Sequence, residues 1–271
     1  MTQSPLPEVG EDAPEVPILD LRGIVKHFGP VEALVEASLI VNAGEVVAIV
    51  GDNAAGKSTL AKIVAGVLQP DAGEIRIAGE AVTIPNPATA QKLGVATVFQ
   101  DLALAENLDV TANLFLGRER VLPGQFLLAD GEMEQTARRV LRDLGAFIPS
   151  VRTPVGQLSA GQRQAVAIAR TLIGEPRVVV LDEPTASLSV AQTAEVLLHI
   201  ERLRALGLGV IFISHNLNDV RAVADRVEVL RHGRNNGSYP GGTVTNEELI
   251  AAITGAVRKG PHLSAYRRDR K

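Results

Sequence analysis

The sequence contains no cysteine and no tryptophan, and aromatic residues make up only 3% of its 271 residues. The absence of cysteine excludes disulfides, thiolate nucleophiles, iron–sulfur clusters and cysteine-based zinc sites. The scarcity of aromatic rings leaves little surface on which single-stranded nucleic acid would stack. Any chemistry in this chain therefore rests on oxygen and nitrogen groups.

The sequence also lacks a long apolar run and an excess of positive charge. No uninterrupted apolar stretch approaches the ~18 residues of a membrane span. The 27 Lys and Arg residues against 31 Asp and Glu residues give a formal net charge of −4, so we expect no general nucleic-acid partner. Residues 1–17 are acidic and have no Lys or Arg, which is unlike a secretory signal and predicts a flexible leader.

Short apolar runs alternate with amphipathic helical stretches, which is typical of an α/β fold. Continuous apolar runs followed by polar residues or glycine predict strands of a largely parallel sheet at 46–50, 178–181 and 210–213. Runs with more alternation predict an antiparallel flank at 18–25, 37–41 and 74–78. Helical segments separated by proline and glycine indicate an inserted helical subdomain between Gln100 and Leu158.

The strongest chemical signal begins at Gly51 and ends in Gly56-Lys57-Ser58, which fits the G-x-x-x-x-G-K-[ST] phosphate loop at every defined position. Its glycines let successive N–H groups point at phosphate oxygens at the positive end of a helix. Lys57 would meet the β- and γ-phosphates of a triphosphate, and the Ser58 hydroxyl would ligate Mg²⁺. We expect the following residues to bind the nucleotide: Gly51, Asp52, Asn53, Ala54, Ala55, Gly56, Lys57, Ser58 and Thr59.

A second element is the adjacent pair Asp182 and Glu183, which ends the apolar run 178–181. Asp182 suits the Mg²⁺ shell as the acidic partner of a phosphate loop. Glu183 is placed to polarise the attacking water or accept its proton. The alternative is an ordinary pair of solvated carboxylates at the end of a strand.

Between these two motifs, residues 158–164 read Leu-Ser-Ala-Gly-Gln-Arg-Gln, which resembles the signature peptide of ATP-binding-cassette (ABC) ATPases. Ser159 is expected to cap a helix, so that its hydroxyl and the first N–H groups form a second phosphate-binding end. The alternative is a capped helix with no ligand. The residues expected to contact ATP through this peptide are Ser159, Ala160, Gly161 and Gln162.

The resemblance covers roughly residues 18–237 and implies roles for three further side chains. Phe28 matches the position whose ring stacks on adenine, with a core phenylalanine as the alternative. Gln100 matches the glutamine that contacts Mg²⁺ or the attacking water, with an exposed loop residue as the alternative. His215 matches the histidine that senses the γ-phosphate, although a lone histidine at a strand end is usually structural.

The family implies a P-loop NTPase core with a mostly parallel sheet, an antiparallel β flank and the helical subdomain. We expect the ATPase core at 18–100 and 158–245, the helical subdomain at 101–157, and a C-terminal helix with a basic tail at 246–271. The chain departs from the family at Ser189, where most members have Asp, so a hydroxyl that can form a hydrogen bond stands in place of a carboxylate that could form an ion pair.

The runs at 94–104 and 107–119 look like the coupling region of ATPases that energise simple-sugar uptake. The resemblance therefore implies the ATP-hydrolysing subunit of a monosaccharide importer, using ATP and Mg²⁺ and lying peripherally at the cytoplasmic face of the membrane. A single set of motifs implies a head-to-tail homodimer, because each nucleotide needs a phosphate loop from one copy and a signature peptide from another. A transmembrane permease would dock near 102–118, and an extracytoplasmic sugar-binding protein is implied indirectly.

Three other functions stay open at this point. One is a soluble ABC-type ATPase that acts on nucleic acid or the ribosome, although the sequence shows no coiled-coil insertion, paired cassette or basic surface, which such proteins commonly have. A nucleotide-binding regulatory module without turnover is disfavoured because Lys57, Asp182, Glu183 and His215 occur together. An importer ATPase for a solute other than a sugar is the third alternative.

Overall fold

The computed structural model describes residues 16–122, 124 and 127–256. Most of the expected leader, residues 1–15, and the expected basic tail, residues 257–271, lie outside the described residues. In the described part of the chain the strands are, in chain order, β1 (Leu19–Phe28), β2 (Val31–Val41), β3 (Val46–Val50), β4 (Ala72–Ile77), β5 (Glu80–Val82), β6 (Val95–Val98), β7 (Val178–Asp182), β8 (Gly209–Ile213), β9 (Arg226–Arg231) and β10 (Arg234–Pro240).

Helices connect and cover these strands. In chain order they are α1 (Lys57–Val64), α2 (Pro87–Lys92), α3 (Val110–Phe115), α4 (Asp130–Leu144), α5 (Ala160–Leu172), α6 (Val190–Ala205), α7 (Leu217–Val223) and α8 (Asn246–Thr254), with a short 3₁₀ turn at Val155–Gln157. In the part of the chain that the structure describes, no helix combines the length and the apolar character that a membrane span needs.

The larger sheet has the strand order β10-β9-β3-β8-β7-β6. Its pairs are parallel except for the hairpin of β9 and β10. Every residue of β3, β7 and β8 is buried, as the three continuous apolar runs predicted. The prediction of a mostly parallel sheet is therefore confirmed. Strands that are covered on both faces need no alternation of apolar and polar residues, which explains their continuous apolar runs.

The smaller sheet has the order β2-β1-β4-β5, and all of its pairs are antiparallel. Burial alternates along β2 and β4, and β1 buries Leu19, Leu21 and Ile24, which is typical of a sheet with one face on the core. The predicted antiparallel flank is confirmed. It brings the β1–β2 hairpin beside the loop that follows β3.

Two apolar cores lie on opposite faces of the larger sheet. On one face, Val47 and Ile49 of β3 pack with α1 and the smaller sheet. On the other face, Ala48 belongs to a core that includes Leu114 of α3 and Met133 of α4. The helices expected within 101–157 are therefore present and share a core with the sheet. The domain boundaries drawn from the sequence stay a prediction.

The topology places four loops at one edge of the larger sheet. Because β3, β6, β7 and β8 run parallel, their carboxyl ends meet at the same edge. The residues that follow these ends are Gly51 after β3, Gln100 shortly after β6, Glu183 after β7 and His215 shortly after β8. This edge collects most of the residues that the sequence predicts to act on a nucleotide.

Candidate functional site

The loop between β3 and α1 needs glycine at two positions for steric reasons. Gly51 has φ 155°, and a Cβ there would lie 2.2 Å from the carbonyl oxygen of Leu230. Gly56 has φ 104°, and its Cβ would lie 2.7 Å from the carbonyl oxygen of Ala33. A side chain at either position would collide with neighbouring backbone, so the loop is wedged between β9 and β2.

Lys57 is folded inward across this loop. Its Nζ donates hydrogen bonds to the carbonyl oxygens of Gly51 at 2.8 Å and Asp52 at 2.9 Å, and the side chain is buried. Burial lowers the pKa of Lys57, although the charges of Glu183 and Asp182 act in the opposite direction. The ammonium group therefore lies at the centre of the loop, close to both carboxylates.

Asp182 ends β7 and is buried beside the start of α1. Burial raises the pKa of Asp182, while a hydrogen bond from Ser58 lowers it and the charge of Glu183 raises it further. Among the residues that the structure describes, none donates a hydrogen bond to the buried Oδ1 atom of Asp182. A carboxylate oxygen and a hydroxyl at one point are ligands that Mg²⁺ prefers.

Glu183 is held from two sides. Its N–H donates to the carbonyl oxygen of Ile213 at 2.9 Å, and its Oε2 accepts a hydrogen bond from Nδ1 of His215 at 2.8 Å. The residue has φ 53°, a left-handed conformation that is strained for any side chain but glycine. Glu183 is therefore held through both its backbone and its side chain.

Gln100 and Phe28 lie at the margins of this edge. Gln100 is exposed two residues after β6, and Val98 pairs with Leu181 of β7, so the loop lies at the same edge as Asp182. Phe28 ends β1 with 46% of its surface exposed, which excludes the alternative of a core phenylalanine. Its hairpin leads into Ala33, whose carbonyl oxygen faces Gly56.

The signature peptide occupies the start of α5. The N–H of Gln162 donates to Ser159 Oγ at 3.2 Å, and the N–H of Ser159 donates to Gln162 Oε1 at 3.0 Å. The predicted cap at Ser159 is therefore confirmed. Gly161 faces α6, where a Cβ would lie 3.0 Å from Gln192 Cγ. Within the described ranges, no hydrogen bond or ion pair joins residues 159–162 to the phosphate loop.

Two contacts at this edge were not predicted from the sequence. Thr185 Oγ1 donates to Asp219 Oδ2 at 2.8 Å, which ties the loop after Glu183 to α7. Arg170 of α5 donates to the carbonyl oxygens of Leu102 and Ala103, just after Gln100. The partners are 34 and about 68 residues apart, and no local pattern in the sequence signals such a contact.

Known proteins match both the sequence and the fold. Residues 34–186 match the family described as ABC transporter. The fructose import ATP-binding protein FrcA of Rhizobium meliloti is 41% identical over 246 residues, which are 89% of this chain and 95% of that protein. The ribose import ATP-binding protein RbsA 1 of Mesorhizobium japonicum is 36% identical over 89% of this chain and 46% of that protein. The chain spans about half the length of several such relatives.

The fold is similar to a solved structure, the ADP conformation of an ATP-binding cassette of an ABC transporter. The TM-score is 0.73 and the sequence identity 28%, over 88% of this chain and 95% of that one. The expected P-loop NTPase fold of the cassette type is confirmed. The family match covers more than half of this chain, and the similarity to FrcA covers nearly all of that protein. This chain therefore belongs to the ABC transporter family of ATP-binding proteins.

Proposed function

We propose that this chain is the ATP-hydrolysing subunit of an ABC importer that takes up a simple sugar. The observation that carries the proposal is the convergence of Lys57, Asp182, Glu183 and His215 at one sheet edge, linked by short contacts and by mutual charge. Relatives named as sugar import ATP-binding proteins support the sugar class.

The phosphate loop would bind the triphosphate of ATP through its backbone. Residues 51–59 present N–H groups at the start of α1, and Lys57 would exchange its carbonyl partners for phosphate oxygens. Phe28, half exposed beside the loop, would stack on the adenine ring. The loop thus supplies charge, and the hairpin supplies the apolar face.

The residues present fit Mg²⁺. The buried Oδ1 of Asp182 has no donor among the described residues, the Ser58 hydroxyl lies beside this carboxylate, and Gln100 follows the neighbouring strand. These three residues would hold the ion. When bound, Mg²⁺ would supply positive charge that offsets the negative charge developing on the phosphate during transfer.

Glu183 would act on the attacking water. Its carboxylate would orient the water and accept a proton, a role that requires a fixed position. The hydrogen bond from His215 Nδ1 and the strained backbone hold the carboxylate in one orientation. The other ring nitrogen of His215, on a side chain that is 71% exposed, would contact the γ-phosphate.

A second copy of the chain would complete each nucleotide site. Ser159 is exposed at the start of α5, and no contact links it to the phosphate loop of its own chain within the described residues. In a head-to-tail homodimer, residues 159–162 of one copy would face the γ-phosphate bound by the other. ATP would close this dimer, and hydrolysis would reopen it.

A transmembrane permease would receive the motion through the helical subdomain at 101–157. The expected contact is 102–118, where Leu116 is 47% exposed and Arg170 anchors the backbone that follows Gln100. The chain would then lie peripherally at the cytoplasmic face of the membrane. A sugar-binding protein on the other side would deliver the solute to the permease without touching this subunit.

Uptake in membrane vesicles that contain the chain and its permease tests the proposal. Uptake of labelled ribose or fructose should require ATP. Leu116→Asp should lower uptake and permease co-purification while basal ATP hydrolysis persists, because a charge would enter the apolar docking face. The matched control is Ile250→Asp on α8, where the side chain is 52% exposed. ATP-independent uptake, or uptake of neither sugar, would count against the importer.

A further inference from the structure

Asp71, which lies just before β4, fastens the end of β1 at several points. Its Oδ1 accepts a hydrogen bond from Lys26 Nζ at 2.7 Å, and its Oδ2 accepts one from the N–H of His27 at 2.6 Å. The N–H of Asp71 donates to the carbonyl oxygen of Val25 at 2.8 Å. Three consecutive residues before Phe28 are therefore held by one aspartate.

The Lys26 ammonium lies over the ring of Phe28, 5.8 Å from the ring centroid. At this distance a cation is attracted to the face of an aromatic ring. Lys26 is only 15% exposed, whereas Phe28 is 46% exposed. One face of the ring is therefore covered by a fixed cation, and the exposed area of the ring is left for another group.

The hairpin that carries this ring leads directly to the phosphate loop. Phe28 pairs with Val31 across the turn, and Ala33 contacts the position of Gly56 two residues later. The ring is thus attached to the loop through a short, hydrogen-bonded segment of backbone. Lys26 and Asp71 are fixed to the same strand end as the ring.

Charges around the pair leave it intact at neutral pH. The hydrogen bonds from Lys26 and from the His27 backbone hold the pKa of Asp71 at about 2. His27 also lies 3.2 Å from Asp71 and 3.7 Å from Glu32, so the cluster carries two carboxylates for one lysine. At neutral pH Asp71 is therefore ionised and gives Lys26 an anionic partner beside the ring.

We propose that Asp71 and Lys26 are positioning residues that present one face of the Phe28 ring to the adenine of ATP. The inference rests on the proposed function, because it assumes that Phe28 stacks on the base. Lys26 occupies the opposite face and limits rotation of the ring. Asp71 holds Lys26 there, so the base meets a ring that is already oriented.

Competition titration against a fluorescent ATP analogue, in Mg²⁺, tests the proposal with two probes. ATP carries the base, whereas inorganic tripolyphosphate carries only the phosphates. Phe28→Ala should weaken ATP about tenfold. Asp71→Ala and Lys26→Met should each weaken ATP about three- to five-fold. All three variants should bind tripolyphosphate as the wild type does.

A double mutant separates positioning from general stability. In the Phe28→Ala background, Asp71→Ala should have no further effect on ATP affinity, because no ring is left to orient. Glu74→Gln is the matched control, since Glu74 pairs with Arg76 in the same sheet and its side chain is equally exposed at 40%. This control should leave the affinity for both probes unchanged.

Three outcomes would overturn the inference. The first is unchanged ATP affinity in Asp71→Ala and Lys26→Met. The second is a loss of tripolyphosphate affinity in these variants that equals their loss of ATP affinity. The third is an effect of Asp71→Ala on ATP affinity that is as large in the Phe28→Ala background as in the wild type. If Asp71→Ala does not fold, Asp71→Asn and Lys26→Met decide. If the wild-type chain binds ATP and Lys57→Ala does not, the proposed function stands even when this inference fails. A wild-type chain that binds no ATP would contradict both.

Discussion

The first turns of α1 and α5 both point toward phosphate in the proposed function, yet the chain builds them differently. α1 begins after Gly56, and no side chain caps it. α5 begins after Ser159, whose hydroxyl and Gln162 form a reciprocal capping box. The first N–H groups of α1 therefore have no side-chain partner, whereas in α5 the N–H of Gln162 is already bonded to Ser159, and the Ser159 hydroxyl that would meet a ligand already has a partner.

Ser189 extends this comparison to α6. Its Oγ accepts a hydrogen bond from the N–H of Gln192 at 3.4 Å, and its N–H donates to Gln192 Oε1 at 3.1 Å. The residue that replaces the usual aspartate is therefore a helix cap.

We expect the largest change in activity from a substitution at Glu183, whose charge acts on Lys57 at the start of α1. Glu183→Gln should lower ATP turnover about 10²-fold or more, because the amide keeps the size of the side chain but accepts no proton. ATP affinity should persist. Steady-state phosphate release checks the rate, with exposed Glu175→Gln near the amino end of β7 as the control. Wild-type turnover in Glu183→Gln would remove Glu183 from the catalytic role.

Lys57→Ala should weaken Mg²⁺–ATP binding at least about tenfold, since hydrogen bonds to charged groups contribute about 1.5–3 kcal/mol. The variant also frees the carbonyl oxygens of Gly51 and Asp52. Equilibrium titration measures the affinity, and Lys92→Ala on α2 is the control. Equal affinity in wild type and Lys57→Ala would show that α1 binds no triphosphate.

Two serine variants distinguish helix capping from contact with the nucleotide in α5 and α6. Ser159→Ala and Ser189→Ala should each lower the free energy of unfolding by about 1 kcal/mol, because each removes one cap. Only Ser159→Ala should also lower ATP turnover, since its hydroxyl is proposed to reach the nucleotide of a second copy. Denaturant unfolding and phosphate release give the two values. Unchanged turnover in Ser159→Ala would reduce the residue to a cap.

The smallest effect concerns the hairpin beside α1. The folded-state pKa of Asp71 is about 2, below its ordinary 3.8, so its contribution to stability is complete above about pH 4 and is lost as pH falls through about 2. The difference in melting temperature between wild type and Asp71→Asn should be constant near neutral pH and should shrink toward zero in acid. A difference that widens in acid would contradict the sign.

The strands and loops at this edge of the larger sheet could be predicted from the sequence because their signals are local. An apolar run and a glycine loop precede α1, and an apolar run precedes Asp182 and Glu183, so strand and loop follow from adjacent residues. The domain boundaries and the roles of individual site residues stay predictions. The caps at Ser159 and Ser189 also have a local pattern, a serine followed three residues later by glutamine.

Other features depend on residues that are distant in sequence. The hydrogen bond between Glu183 and His215 follows from β7 and β8 being neighbours, which a single sequence does not state. β10 is polar and contains glycine and proline, and it is a strand because it pairs with β9. Asp71 gave no motif, since its partners lie about 45 residues upstream.

Light scattering of Glu183→Gln, with Mg²⁺ and either ATP or ADP, tests most directly the claim that α1 of one copy and α5 of another share each nucleotide. We expect a dimer in ATP and a monomer in ADP, because a closed pair that does not hydrolyse ATP does not reopen. Ser159→Arg added to the variant should abolish the dimer by intruding on the γ-phosphate. If Glu183→Gln binds ATP but has the same molecular mass in ATP as in ADP, the shared site would be contradicted.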